Sequence, residues 1–160
     1  ILPGEETPAD PAALVRDLGF DSVTSYVWVH YGLPREAETC PYERLQERYC
    51  AFWDAADTRF GVPYFPNVTM GWDSSPRTLP SDPWQYRTGY PAGPVVTGNT
   101  PDAFRAALAA ARDRLHSADA PRVVTLNAWN EWTEGSYLEP DTPHGTSYLE
   151  AIRDVFGPRA

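Results

Sequence analysis

Three short apolar runs punctuate the chain: residues 22–29 (SVTSYVWV), 64–70 (YFPNVTM) and 122–128 (RVVTLNA). Each is rich in β-branched or aromatic side chains and too short for a typical helix, so each reads as a strand. The run 122–128 is apolar for much of its length, as a parallel strand covered on both faces would be. Between and after them the period changes to that of helices. Residues 10–18 carry Pro11 in a first turn, an apolar face of Leu14, Val15 and Leu18, and Gly19 as a stop. Residues 42–60 repeat apolar positions at Leu45, Tyr49, Phe52, Trp53 and Ala56 before Gly61 and Pro63 end the pattern. Thr100 caps a third helix whose face is Phe104, Ala107, Leu108, Ala111 and Leu115. Residues 147–156 form a fourth, closed by Gly157 and Pro158.

Strands alternating with helices imply a parallel α/β architecture, either a doubly wound sheet or part of a (β/α) barrel. The doubly wound fold carries a Gly-rich phosphate turn after a strand, and none of the three strands has one. The residues just past each strand are instead aromatic and polar: Trp28-Val-His30, Gly71-Trp-Asp73 and Trp129-Asn-Glu-Trp-Thr-Glu134. Barrel enzymes place their sites at the C-terminal ends of strands, so the barrel is the expected fold. A complete one takes about 250 residues. The 160 residues present are therefore expected to be one partial domain, the C-terminal half of a (β/α)8 TIM-type barrel with parallel strands and covering helices. Its missing N-terminal half is an expected partner. The opening Ile1-Leu-Pro-Gly reads as the interior of a longer chain, which leaves localisation open. Residues 30–41 are expected to be a polar loop. Residues 71–98, rich in Gly, Pro, Ser and aromatics, are expected to be an ordered functional loop.

Charge removes other classes. The net charge is −9, from 13 basic and 22 acidic residues. No basic stripe exists for nucleic acid, and no apolar run is long enough to span a membrane. Cys40 and Cys50 are expected to be free thiols. Ten residues, most of them helical at about 1.5 Å each, separate them too far for a disulfide.

The chemistry concentrates in residues 127–139 (NAWNEWTEGSYLE). Glu131 and Glu134 would point to opposite faces of a continuing strand. They converge only if the chain turns between them, and Gly135 suits such a turn. Paired carboxylates in a partly apolar site, one beside Trp129 or Trp132, suit the acid and base of glycosidic cleavage. Sugars pack their C–H faces on aromatic rings and bond their hydroxyls to amides and carboxylates. Trp28, Trp72, Asp73, Trp129, Asn130, Trp132 and Tyr137 are the expected substrate-binding residues. Of Trp129 and Trp132, one is expected in the wall of the site and one in the core. For Asp73 the bland alternative is a pair with Arg77. His30 and Tyr31 lie just past a strand end and are secondary candidates. Glu139, Asp141 and His144 match no metal-ligand spacing and read as a loop cap. His116 suits the C-terminus of its helix. No metal or cofactor is expected.

The block 127–141, with Gly145 and residues 148–152, resembles the C-terminal signature of the glycoside hydrolase family 99-like group, also called WbsX-like. Residues 65–77 (FPNVTMGWDSSPR) and 19–26 (GFDSVTSY) resemble earlier segments of the same group. The related endo-α-mannosidases are retaining (β/α)8 enzymes with a Glu-Trp-x-Glu-Gly element. By that resemblance Glu131 is the base that activates the substrate's own 2-hydroxyl, giving a 1,2-anhydro sugar. Glu134 is the acid/base. The group is also associated with cell-surface polysaccharide and has been labelled glycosyltransferase. Sugar transfer in O-antigen-type polysaccharide biosynthesis is thus the alternative expectation, and a non-catalytic fragment is a third.

Overall fold

The computed structural model describes residues 10–34, 37–81, 90–117 and 121–158. Two of the four helices fall where the apolar period placed them, α3 (Tyr42–Phe60) and α5 (Ser147–Phe156), and α1 (Pro11–Asp17) lies within its expected span. Local chemistry explains the ends. Asp10 accepts the Ala13 N–H at 2.9 Å and caps α1. Gly61, at φ +69°, closes α3 in the left-handed region that glycine enters without strain. Thr100 Oγ1 accepts from Ala103 N at 3.2 Å at the start of α4 (Pro101–Ser117).

The strands are shorter than the apolar runs. β1 is Val23–Thr24, and the run 64–70 splits at Pro66 into β3 (Tyr64–Phe65) and β4 (Asn67–Thr69). β6 is Thr125–Asn127. β1 pairs with β3, and β4 with β6, both parallel. A bond of 2.9 Å between the Thr24 and Thr125 hydroxyls ties β1 to β6 across the middle strand. In chain order this is strand, α3, strand, α4, strand, the parallel α/β pattern that the sequence predicts.

Three elements depart from expectation. Residues 22–29 do not run on as one strand. The chain turns after Tyr26, and Val29–Gly32 forms a short helix, α2. The supposed loops contain β2 (Thr39–Pro41) and β5 (Val95–Thr97), which pair in parallel. Within the expected functional loop, residues 82–89 lie outside the described residues.

The core sits between the strands and α3, α4 and α5. Tyr42, Leu45, Tyr49, Trp53 and Ala56 bury one face of α3; Phe104, Ala107, Leu108, Ala111 and Leu115 bury one face of α4. Each large side chain so buried stabilises by about 1.5–3 kcal/mol. Buried hydroxyls are paired. Tyr49 and Tyr64 share a bond of 2.5 Å, Tyr64 donates to Ser25 Oγ at 2.8 Å, and Tyr42 donates to the Thr69 carbonyl at 2.6 Å. Cys40 and Cys50 are both free.

The turn after Tyr26 corrects the expectation for Trp28. Its side chain is 0% exposed. The indole stacks on Tyr49, with centroids 5.4 Å apart, and donates to the Asn67 carbonyl at 2.7 Å. Once the strand ends, alternation no longer decides which way Trp28 points, and it belongs to the core.

Candidate active site

β6 ends at Asn127, opposite Thr69 at the end of β4. Next comes a small hairpin, in which β7 (Asn130–Glu131) pairs antiparallel with β8 (Ser136–Tyr137). Between them, Trp132–Glu134 form one 3-10 turn, closed by Gly135 at φ +58°. This turn swings two residues three apart toward one place. Arg77 Nη2 lies 3.1 Å from Glu131 Oε2 and 3.5 Å from Glu134 Oε1. Those two distances limit the separation of the carboxylate oxygens to at most about 6.6 Å, which admits the spacing of glycosidase pairs. Glu134 is buried at 7% exposure, and Glu131 is half-buried.

Gly135 is required by space as well as by φ. A Cβ there would lie 2.8 Å from Asp73 Cβ and 2.9 Å from Asp73 N. Asp73 N donates to the Glu134 carbonyl at 2.6 Å, so the turn is locked against the loop after β4. Gly135→Ala is expected to lower stability by about 2–3 kcal/mol, from left-handed strain and overpacking. Urea unfolding would measure it; an unchanged midpoint would refute the close approach.

Other residues complete the site. The Tyr90 hydroxyl donates to Glu134 Oε1 at 3.0 Å, and Arg77 lies 5.7 Å from the Tyr90 ring centroid. Desolvation, then the bond to Glu134, pushes the Tyr90 pKa up, so it remains a donor. Tyr26 has a largely exposed ring. Partial burial of its hydroxyl, then the charges of Glu134 and Glu131, raises its pKa. Asn127 is buried, and its Oδ1 accepts from Ser136 Oγ at 2.7 Å.

The expected sugar-binding residues divide. Trp129 and Trp132 are 55% and 44% exposed, so neither is core. Trp132 stacks on Tyr137, with centroids 3.7 Å apart, and donates to Glu139 Oε2 at 2.6 Å. The two rings form one platform. Asn130 is exposed on the same hairpin. Trp72 is buried, its ring 6.4 Å from that of Tyr90. Asp73 does not pair with Arg77; its carboxylate accepts from Ser75 N at 2.9 Å. Trp72, Asp73 and Tyr137 line a cavity of about 240 Å³ with Asn99, Asp141 and His144. Asp141 accepts from His144 N at 2.6 Å and from the Tyr137 hydroxyl at 3.2 Å, closing the turn before α5. Among the described residues no acidic, His or Cys group is arranged to hold a metal. His30 lies 6.5 Å from the Tyr26 ring, whereas Tyr31 stacks on Phe52. His116 bonds the Arg112 carbonyl of its own helix.

Sequence reasoning missed Arg77, Tyr90, Tyr26 and Asn127 as parts of this constellation. Arg77 and Asn127 lay in segments already singled out, and the signal there was a cation in the loop after β4 and an amide on the last residue of β6.

The family described as Glycosyltransferase WbsX matches residues 21–152. The chain belongs to the WbsX family. Its match spans the β1 strand, the Arg77 turn and the carboxylate hairpin. Two curated relatives, each named uncharacterized protein WxcX, from two strains of Xanthomonas campestris pv. campestris, are 40% identical over 93 residues. That stretch is 57% of this chain and 12% of theirs. A solved structure described as a glycoside hydrolase-like protein shares the fold, with a TM-score of 0.51 at 14% identity. It covers 96% of this WbsX-family chain, which spans 51% of it. Family and fold together point to a glycan-related role.

Proposed function

We propose that this WbsX-family chain carries the carboxylate pair of a retaining glycoside hydrolase acting on a glycan or cell-surface polysaccharide. One observation carries the reading: a half-buried and a buried glutamate converge on one arginine at the C-terminal ends of parallel strands. Glu131 takes the proton of the substrate 2-hydroxyl, whose oxygen attacks C1. Glu134 gives its proton to the departing oxygen. The carboxylate of Glu134 then removes a proton from water, which attacks C1 and opens the 1,2-anhydro ring. Oxygen O2 recovers its proton from Glu131, and two inversions leave net retention. Trp129, Trp132 and Tyr137 supply the apolar platform for neighbouring rings, with Asn130 bonding hydroxyls and Trp72 and Asp73 backing the wall.

The chain is, in this reading, the C-terminal part of a (β/α)8 barrel. An apolar groove of about 340 Å³ between α4, β6 and α5, lined by Leu115, Val124, Leu126 and Phe156, suits packing by a further barrel element.

The second reading, sugar transfer in surface polysaccharide assembly, is favoured by the family's description. One assay separates the two. The full-length protein is incubated with a panel of glycans, and with nucleotide-linked sugars plus acceptor. Release of reducing sugar supports hydrolysis; transfer without release of reducing sugar overturns it.

Arg77→Met is expected to change stability by less than about 1 kcal/mol, since its ion pairs are partly exposed. It is expected to lower kcat/KM by about 10²-fold through misplacement of the carboxylates. Thermal unfolding and reducing-sugar release check both parts, and wild-type turnover would remove Arg77 from the site.

A further inference from the structure

The cavity of about 240 Å³ beside the carboxylate hairpin lies where the loops after β4, β5 and β6 meet. Two glycines permit that meeting. A Cβ on Gly71 would collide with the Asn99 amide and lie 2.7 Å from the Gly135 carbonyl oxygen, and one on Gly135 would strike Asp73. The lining is aromatic and acidic, with Trp72 and Tyr137 beside Asp73 and Asp141. Among the described residues no arginine lines it, and the sequence has no lysine. Arg77, in the same loop as Asp73, is held by Glu131 and Glu134. Both aspartates keep capacity to accept. Ser75 N occupies one oxygen of Asp73, and no hydrogen bond reaches the other among the described residues. Asp141 receives one donor on each oxygen, His144 N at 2.6 Å and the Tyr137 hydroxyl at 3.2 Å, and a carboxylate has room for about four. The neighbouring hydroxyls are spent, Tyr137 on Asp141 and Tyr148 on the Asn99 carbonyl. Burial, then the Asp141 charge, pushes the Tyr148 hydroxyl up to about 12, so it stays a donor.

We propose that this cavity is a subsite for a sugar residue carrying a free, protonated amino group. The inference rests on the reading of a glycan as the substrate and names its class. Two carboxylates that face one cavity with no arginine between them favour a positively charged ligand. Among the described residues no group of His, Cys, Asp and Glu is arranged to hold a metal ion. An ammonium fits, because its N–H donors match the acceptor sites left on Asp73 and Asp141. The rings of Trp72 and Tyr137 add cation–π attraction and apolar contact for the sugar. Asn99 and His144 remain for its hydroxyls. N-acetylation would remove the charge and set a methyl group against the aspartates. The subsite adjoins the reacting centre. Gly135 lines the cavity and directly follows Glu134, and Asp73 N donates to the Glu134 carbonyl at 2.6 Å. An amino sugar held there lies next to the bond that Glu134 serves.

The test is monosaccharide binding to the full-length protein, followed by NMR titration at about pH 6, where amines that titrate like an α-amino group are charged. The probes are glucosamine, galactosamine and mannosamine, their N-acetyl forms, and the parent hexoses. At least one free amine is expected to bind about tenfold more tightly than its N-acetyl form and its parent hexose, the worth of a charged hydrogen bond. Asp73→Asn and Asp141→Asn keep the side-chain shape, and each is expected to cut that preference below about threefold. Asp113→Asn, on the exposed side of α4, is expected to leave it unchanged. The indole N–H signal of Trp72 should shift on titration, which locates the ligand without any variant. Absence of a preference for the free amine in the wild-type protein overturns the proposal. So does a preference that survives in both aspartate variants, or shifts confined to other tryptophans. Binding of a free amine in this cavity without cleavage of any glycan would end the hydrolase reading and leave this one standing.

Discussion

Glutamine at position 134 is expected to lower glycan cleavage by about 10²–10⁴-fold, the usual worth of a positioned proton donor. The substitution preserves shape. The side-chain oxygen of glutamine can still accept from Tyr90 and Arg77, the partners that hold Glu134 Oε1. Only proton transfer at the free end is lost. Stability is expected to hold or rise slightly, because one atom of the buried carboxylate has no hydrogen-bond partner among the described residues. Leaving-group dependence separates the two glutamates. Glu134→Gln should spare dinitrophenyl glycosides in the bond-breaking step, whereas Glu131→Gln should slow every substrate alike, since activation of the 2-hydroxyl is needed whatever departs. Added azide should restore turnover of activated substrates by Glu134→Gln, because azide attacks C1 without a base. The readouts are reducing-sugar release and initial rates. Wild-type turnover in both variants would end the catalytic assignment.

The carboxylate pair was legible because its logic is local. Spacing, Gly135 and flanking tryptophans all lie within nine residues of sequence, and one turn suffices to make Glu131 and Glu134 converge. Their partners were not legible. Tyr26, Arg77 and Tyr90 come from three segments remote from the hairpin, and only strand pairing and loop packing bring them to it. The same division runs through the fold. The helices α3, α4 and α5 show in the sequence because each repeats its apolar face over several turns and ends on a cap or a glycine. β2 and β5 do not, because three residues carry little pattern and Thr39 finds its partner at Val95. α2 was missed for a related reason. Val29–Gly32 shares its β-branched and aromatic composition with the strand before it, and composition does not say where a chain turns.

Trp28 is where that failure has its largest energetic consequence. Read as the end of a strand, it belonged beside the substrate; enclosed by Tyr42 and Tyr49, it belongs to the core. Trp28→Ala is therefore expected to destabilise the fold by about 3–5 kcal/mol, as deletion of a large aromatic side chain from a core does. Trp28→Phe would keep a ring but leave the buried Asn67 carbonyl without its 2.7 Å donor, at about 1–3 kcal/mol. Trp132→Ala provides the contrast. That ring is half exposed and stacked only on the hairpin, so its loss is expected to change stability by about 1 kcal/mol while weakening glycan binding. Urea unfolding and glycan titration of the three variants give a crossed pattern. Stability tracks Trp28 and binding tracks Trp132. The reverse pattern, with Trp28→Ala stable but deficient in glycan binding, would return Trp28 to the substrate side and show that the strand runs on past Tyr26.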